Sequence, residues 1–491
     1  MFEEYTALAI IFGWLALTAS VGAYFTIKGY KRLAKADSWF VAGRSLGLLV
    51  LWLSLGANIY SAYTFLGLPG LAAREGVRAW AITLYGMLSY IIGFLIIPRM
   101  WKSAHRHGWL TIADAFEDLY QSRALGAFVA VSGALWSIPY IQLQIQGIGY
   151  IIEVASYGHL DPTTAKAIAF ILVSVFTIVG GLMSIAFINA LQGAIMLVAI
   201  WVVGLLAPVI AFGGIDGLFK TLNDFVATKP SDCRFHLLLT DKDALWFITL
   251  ITTAPLAFWL WPNRIQNIFG GRDERTVKRN MVLVGVYQIS QIPVILVGLT
   301  AIGLFAKGII TDPIYKKPYN DMSFMIVTKA LFPPWVVGVI GAGALAASIS
   351  TAAAILHVTG ALFSRNAYQR VFKPNASDRE LLMAARLFTM AIAIVSLVLA
   401  LYAPGILIYL LLVGYAGILQ FFPQYVIALK KPGAIDKYTA LAGMAVGMIV
   451  VGVMKGLYGK APFGIYEGFY GLMANLAIIA IGYLVKRVIK K

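Results

Sequence analysis

The sequence predicts an all-α polytopic membrane protein with about 13 transmembrane helices, on the strength of three observations. Of its 491 residues, 60% are hydrophobic and 12% charged, which leaves more apolar surface than a soluble core could bury. The apolar residues fall into runs of roughly 20, the length needed to cross a hydrocarbon core of about 30 Å. Lys and Arg concentrate in alternate connections between those runs.

The spans run at 6–27, 46–71, 78–98, 124–153, 163–183, 187–212, 244–262, 281–306, 334–361, 381–402, 404–428, 438–454 and 463–485. The opening stretch, MFEEYTALAIIFGWLALTASVGAYF, has neither a basic leader nor a small-residue cleavage site, so it reads as a retained first span. Cys233 is the single cysteine, which excludes an intrachain disulfide framework and a Cys-rich metal site. Six connections, KGYKRLAK with Arg44, PRMWKSAHRHG with Arg123, NRIQNIFGGRDERTVKRN, Arg365 through Arg386, KKPGAIDK and KRVIKK, hold 26 of the 39 basic residues. The positive-inside rule places that set in the cytoplasm, with the N-terminus outside and the C-terminus inside. Topology thus accounts for the net charge of +17, without a nucleic-acid partner.

Two spans carry breaking residues at their centres, where a purely structural helix has no use for them. The second, LWLSLGANIYSAYTFLGLPGLAA, is small and hydroxylic in the middle, with Pro69 following Gly67; the seventh, LWFITLITTAPLAFWLWPNR, has Thr252, Thr253 and Pro255 midway. Interrupted helices at matching positions of two repeats point to a transport site near the midplane. The expected organisation is a first span and cytoplasmic loop over 1–45, a five-helix repeat over 46–212, a second over 244–428, and two last spans with a basic tail over 438–491.

In the ninth span Ala347, Ser350 and Thr351 stand at i, i+3 and i+4 and share one helix face. An unpaired hydroxyl in an apolar medium costs about 2–7 kcal/mol, so each must bond something. One option is a back-bond to the preceding turn; the other is a hard cation such as Na⁺, held together with carbonyls freed by a broken partner helix. Intramembrane acids, the usual alternative for ion coupling, are nearly absent: Glu153 falls near an outer end, and Asp114, Glu117 and Asp118 at the cytoplasmic interface. A carboxylate proton relay is therefore disfavoured. His357, six residues past Thr351, reads as a packed or cavity-facing polar group, with a coupling role as the alternative.

With these residues the chain resembles the sodium/solute symporter family. The carriers of the resemblance are AASIST followed by ALFSRNAYQR in the ninth span, and GGLMSIAFINALQGAIMLVAI across the fifth and sixth. Within the family it looks closest to the monocarboxylate permease branch, through GANIYSAYTFLGLPG, PYIQLQIQGIGYIIEVASYG, FWLWPNRIQ and LLVGYAGILQFFPQ. The resemblance implies a LeuT-type 5+5 inverted repeat with one helix before it and two after. It also implies a sodium site made of the carbonyls of Ala57 and Tyr60 with Ala347, Ser350 and Thr351. Two positions depart from the family pattern: Ile59 stands where proline symporters carry an aspartate, with Asn58 one place earlier, and Asn189 replaces the aspartate of the sixth-span motif. The assigned oxygens are carbonyl and hydroxyl, so sodium remains the expected coupling ion, with H⁺ the alternative and no other cofactor.

The expected cargo is a small monocarboxylate such as lactate, pyruvate or acetate, held by the amides and positive dipole end of a half-helix, since no Arg or Lys is read at a span centre. Ser61, Tyr63 and Thr64 around the first break, Gln142 and Gln146 on one face of the fourth span with Gln144 turned away, and Thr252 and Thr253 of the seventh form the candidate substrate site. Trp259 is a further candidate there, and Trp261 reads as an interfacial anchor. The runner-up is a sodium-coupled amino-acid (proline-like) or sugar symporter of the same fold. No HExxH, P-loop or paired Asp-rich cluster supports an enzyme, no filter-like repeat or charge ring a channel, and no appended signalling domain a sensor. The expectation is thus alternating access in a cell membrane, with a small-molecule substrate and the lipid bilayer as partners and no protein partner evident.

Overall fold

A computed structural model describes residues 2–33, 36–179, 182–459 and 462–489. Gly180 and Gly181 of the fifth-span motif, and Lys35, Lys490 and Lys491 of the basic connections, lie outside the described residues. Helix α1 (Phe2–Leu33) and the short α2 (Ala36–Val41) lead into α3 (Leu48–Ile59), α4 (Leu68–Glu75), α5 (Trp80–His107), α6 (Ile112–Tyr120), α7 (Arg123–Ala155), α8 (Pro162–Val179), α9 (Leu182–Phe212) and α10 (Ile215–Thr228). There follow α11 (Asp241–Phe258), α12 (Pro262–Phe269), α13 (Glu274–Tyr287), α14 (Gln291–Ala306), α15 (Tyr319–Leu331) and α16 (Pro334–Ala361). The chain closes with α17 (Asp378–Tyr402), α18 (Leu407–Ile418), α19 (Phe422–Lys430), α20 (Lys437–Tyr458) and α21 (Glu467–Ile489). Among the described residues there is no strand, only an isolated bridge between Leu46 and Gly271. Among the described residues ten helices are long and apolar enough to cross a membrane, so this is a multi-pass membrane protein. The figure of thirteen spans stays a reading of the sequence.

Burial separates the helices into a centre and a rim. In α16 and its continuation the most apolar window is 94% buried, against 33% in α17 and α20 and 28% in α21. That ranking follows composition: α16 is rich in Gly, Ala and Ser, which let neighbouring backbones approach closely where no hydrophobic force acts between helices in lipid. It packs on α1, α7, α9 and α17, while α20 and α21 pair with each other beside α18. The same device acts at Gly298 of α14, where an added Cβ would lie 2.2 Å from the Pro69 carbonyl of α4.

Polar residues fix where the helices begin. Thr111 with Asp114 and Ser377 with Glu380 form capping boxes at the starts of α6 and α17, and Asp273 and Asp436 cap α13 and α20. These four caps all lie in or beside the basic connections. On the other side, Asp321 of α15 reaches across to accept the Leu407 N–H at the start of α18.

Candidate functional site

The second span does break, three residues wide. Helix α3 ends at Ile59, Tyr60 turns extended (φ −87°, ψ 104°), and after Ser61 and Ala62 the chain resumes as a wide π turn, Tyr63–Gly67, before α4. Pro69 sits in the first turn of α4, where its missing N–H costs nothing, so it follows the break rather than making it. The seventh span also breaks, but not at Thr252, Thr253 and Pro255: α11 runs through all three and stops at Phe258, and Trp259–Trp261 separate it from α12. Pro255 is tolerated inside a span because neighbouring helices re-satisfy the freed backbone. Thr252 is exposed and bonds back to the Ile248 carbonyl, and buried Thr253 bonds back to that of Thr249, so both hydroxyls are partnered within α11.

The two leading and trailing half-helices, α3 and α12, lie antiparallel and are joined side by side. Asn263 Nδ2 donates to Asn58 Oδ1 at 2.6 Å, and Asn267 Nδ2 donates to Ser54 Oγ at 3.0 Å. Each partner has moved four residues, one turn, in opposite directions along the chain.

Above this junction the end of α3 meets the middle of α16. Ser350 Oγ lies 3.0 Å from the Ala57 carbonyl and 2.9 Å from that of Ala347, and Thr351 Oγ1 lies 3.2 Å from the carbonyls of both Ala57 and Asn58. Both hydroxyls are buried. Five oxygens thus converge with only two protons among them, while each hydroxyl has two acceptors in reach and one hydrogen to give. The Ala57 and Asn58 carbonyls belong to the last turn of a helix, where carbonyls lack intrahelical partners and the dipole is negative. The carbonyls that the two hydroxyls reach are those of Ala57, Asn58 and Ala347; of Tyr60, whose carbonyl was expected there, the side-chain hydroxyl donates to Gln288. His357 packs on Trp39, ring centroids 4.0 Å apart, and is no part of the knot.

On the substrate side, Ser61 Oγ accepts from Tyr140 OH at 3.2 Å and from the Tyr63 N–H at 3.2 Å, and Thr64 Oγ1 is buried without a partner. The glutamines divide the other way from the expectation. Gln144 Oε1 accepts the Ala62 N–H at 3.0 Å, inside the break. Gln142 instead donates to the carbonyls of Leu399 and Ala403, and Gln146 to Tyr150 OH and the Gly405 carbonyl, closing the end of α17 and the loop after it. Two residues of the eighth span, unremarked in the sequence, complete the lining: Tyr60 OH donates to Gln288, Gln288 to Gln291 and the Thr83 carbonyl, and Gln291 to Tyr63 OH. Their only signal was two glutamines inside an apolar run.

Two aromatic residues and a cation surround the second break. Trp259 donates to the Ser89 carbonyl at 2.6 Å, and Trp261 is buried against Tyr140 and Tyr415, at ring centroid distances of 5.0 and 5.4 Å, so it is no interfacial anchor. Arg264, counted by its sequence context among the basic connections, is instead 0% exposed in the first turn of α12. A buried guanidinium within a membrane span costs about 2.5–3.5 kcal/mol on insertion scales, so its presence there needs a reason.

The Sodium:solute symporter family model matches residues 39–447. The chain belongs to that family. At 28% identity over 96% of both chains it is similar to the uncharacterized symporter YhjB of Bacillus subtilis, and at 26% over 97% of this chain and 96% of the other to a monocarboxylate transport permease protein of Rhizobium johnstonii. The high-affinity proline transporter PutP of Bacillus subtilis matches at 26% over 91% and 92%. In three dimensions the chain superposes on a Na⁺-coupled sialic acid symporter in a substrate-bound outward-open state, with a TM-score of 0.78 over 98% of both chains at 18% identity. The fold is the LeuT type, and the protein is a sodium-coupled solute symporter, a transporter by family and fold.

Proposed function

We propose that this symporter couples Na⁺ entry to uptake of a small monocarboxylate by alternating access. The observation that carries the cation half is the proton-poor oxygen knot of Ala57, Asn58, Ala347, Ser350 and Thr351, with the carbonyl of Tyr60 as a further ligand once the break flexes. Carbonyl and hydroxyl oxygens in that number suit a hard monovalent ion without a carboxylate. The cation ties the end of α3 to α16, and substrate binds beside it at Ser61, Tyr63, Thr64 and Gln144. The bundle containing the broken helices then rocks against the remainder. In this reading 46–212 and 244–428 are the two inverted repeats, and the N-terminus lies outside. The relative named as a monocarboxylate permease supports the cargo class.

The test is uptake of labelled lactate, pyruvate, acetate and proline into liposomes under an imposed Na⁺ gradient, and then under a pH gradient alone. Sodium-driven monocarboxylate uptake whose half-saturating Na⁺ rises about tenfold in Thr351→Ala is the expected result, since one charge-assisted contact is lost. Proton-driven uptake indifferent to sodium would overturn the cation assignment, and proline uptake without monocarboxylate uptake would overturn the cargo.

A further inference from the structure

We infer that Arg264 is the anchor for the carboxylate of the transported substrate; this rests on the cargo class proposed above and names its binding group. Three observations carry it. Arg264 is completely buried, yet among the described residues it forms no ion pair with an Asp or Glu. Its Nη1 donates to the Phe258 carbonyl at 2.7 Å and to Tyr415 OH at 2.9 Å, while Nε is buried with no partner. And its place is directly after the second break, in the first turn of α12, next to Asn263, which bonds across to α3.

A structural guanidinium kept inside a membrane protein normally pairs with a carboxylate, because the unpaired charge is what makes burial costly. Here no Asp or Glu among the described residues supplies the counter-charge. The guanidinium lies 4.1 Å from the Phe258 ring centroid and 5.6 Å from that of Tyr415, faces that hold a cation weakly and leave Nε unpaired. Trp261, the last residue of the break, has its indole N–H buried and unpaired as well. A site of donors with a fixed positive charge and no acid complements a carboxylate, which would take the Arg264 fork bidentately and free Tyr415 OH to donate in turn. Connection to the first break is direct: Tyr140 packs edge-on against Trp261 and donates to Ser61.

The experiment uses the full-length protein in liposomes with Arg264→Lys and Arg264→Gln. Each variant is first checked for Na⁺-dependent thermal stabilisation without substrate, which reports a folded cation site that Arg264 does not touch. Uptake of lactate, acetate and proline is then measured, with lactamide as an uncharged competitor. The expected result is a KM for the carboxylate raised roughly 10- to 100-fold in Arg264→Gln, the range of a lost charge-assisted hydrogen bond. Arg264→Lys should fall between wild type and Gln, and the preference for lactate over lactamide should be lost in Gln. Should wild type take up proline and not lactate, with the same Arg264 dependence, the anchor stands and the monocarboxylate reading falls. Monocarboxylate uptake with unchanged KM and unchanged discrimination in both variants overturns the anchor alone. A wild type that carries no carboxylate at all overturns both.

Discussion

Asn263 of α12 donates its side-chain amide to Asn58 Oδ1 of α3 at 2.6 Å, so the two broken helices are joined at a residue whose own carbonyl belongs to the knot, and one residue away from Arg264. The bond connects the two places where cation and substrate are proposed to bind. Removing it therefore tests whether the sites are coupled through α3.

Replacing Asn263 by Ala leaves Asn58 Oδ1 buried without a donor, at a cost of about 1–3 kcal/mol. Thermal unfolding in detergent should show that loss as a lowered midpoint. Because Asn58 also lends its carbonyl to Thr351, half-saturating Na⁺ should rise together with it. A lowered midpoint with unaltered Na⁺ dependence would mean that the bond is structural only.

The glutamines of α7 give a sharper contrast, since they lie on one helix within five residues. Gln144→Leu takes the side-chain acceptor from the Ala62 N–H in the break, and the substrate KM should rise about tenfold. Gln142→Leu removes donors from the Leu399 and Ala403 carbonyls, so it should lower stability by about 1 kcal/mol and leave KM in place. The reverse pattern, KM following Gln142, would restore the assignment expected from the sequence.

These residues show what a sequence can and cannot carry. The Ala347, Ser350 and Thr351 face was legible because i, i+3 and i+4 on a helix is fixed by geometry alone. The choice of Gln142 and Gln146 over Gln144 needed the direction of the bundle centre, and on a nearly uniformly apolar helix no polar stripe supplies it. The second break was placed too early because Thr252, Thr253 and Pro255 look like breakers. The informative mark was Pro262, which occupies the first turn of the restarted helix where Pro is preferred. Arg264 was hidden by its neighbours: a run holding Arg272, Arg275, Lys278 and Arg279 reads as a loop, and only tertiary packing shows that its first cation is inside the span.

Packing also makes Gly298 a test of the scaffold rather than of the site. A methyl there would sit 2.2 Å from the Pro69 carbonyl, which a backbone cannot avoid without moving α4 against α14. Gly298→Ala should cost roughly 1–3 kcal/mol of stability by thermal unfolding. If stability is unchanged, α4 moves freely relative to α14, and the half-helix is looser than its burial implies.

The two ends of the molecule are tied by different acids, and alternating access predicts opposite consequences of cutting them. At the end with the basic connections, Asp114 accepts from Arg365 Nε at 2.9 Å and from Asn366 Nδ2 at 2.7 Å, fixing α6 to the segment after α16. At the other end Glu75, at the close of α4, accepts from Tyr409 OH at 2.7 Å and pairs with Arg78 at 2.7 Å, and Arg78 pairs with Asp243 of α11 at 3.3 Å. Asp114→Asn leaves Arg365 without its counter-charge, and Glu75→Gln leaves Arg78 only the longer pair with Asp243, so each weakens one closure, on the order of 3 kcal/mol for a buried pair. Hydrogen exchange should then quicken in α6 and 362–372 for the first variant, and in α4 and α18 for the second. If one closure competes with the other, each variant should also slow exchange at the opposite end, because opening one side draws population from the state open on the other. Local quickening without the opposite slowing would mean that the two ties act independently, and a rocking bundle would then be the wrong description of the cycle.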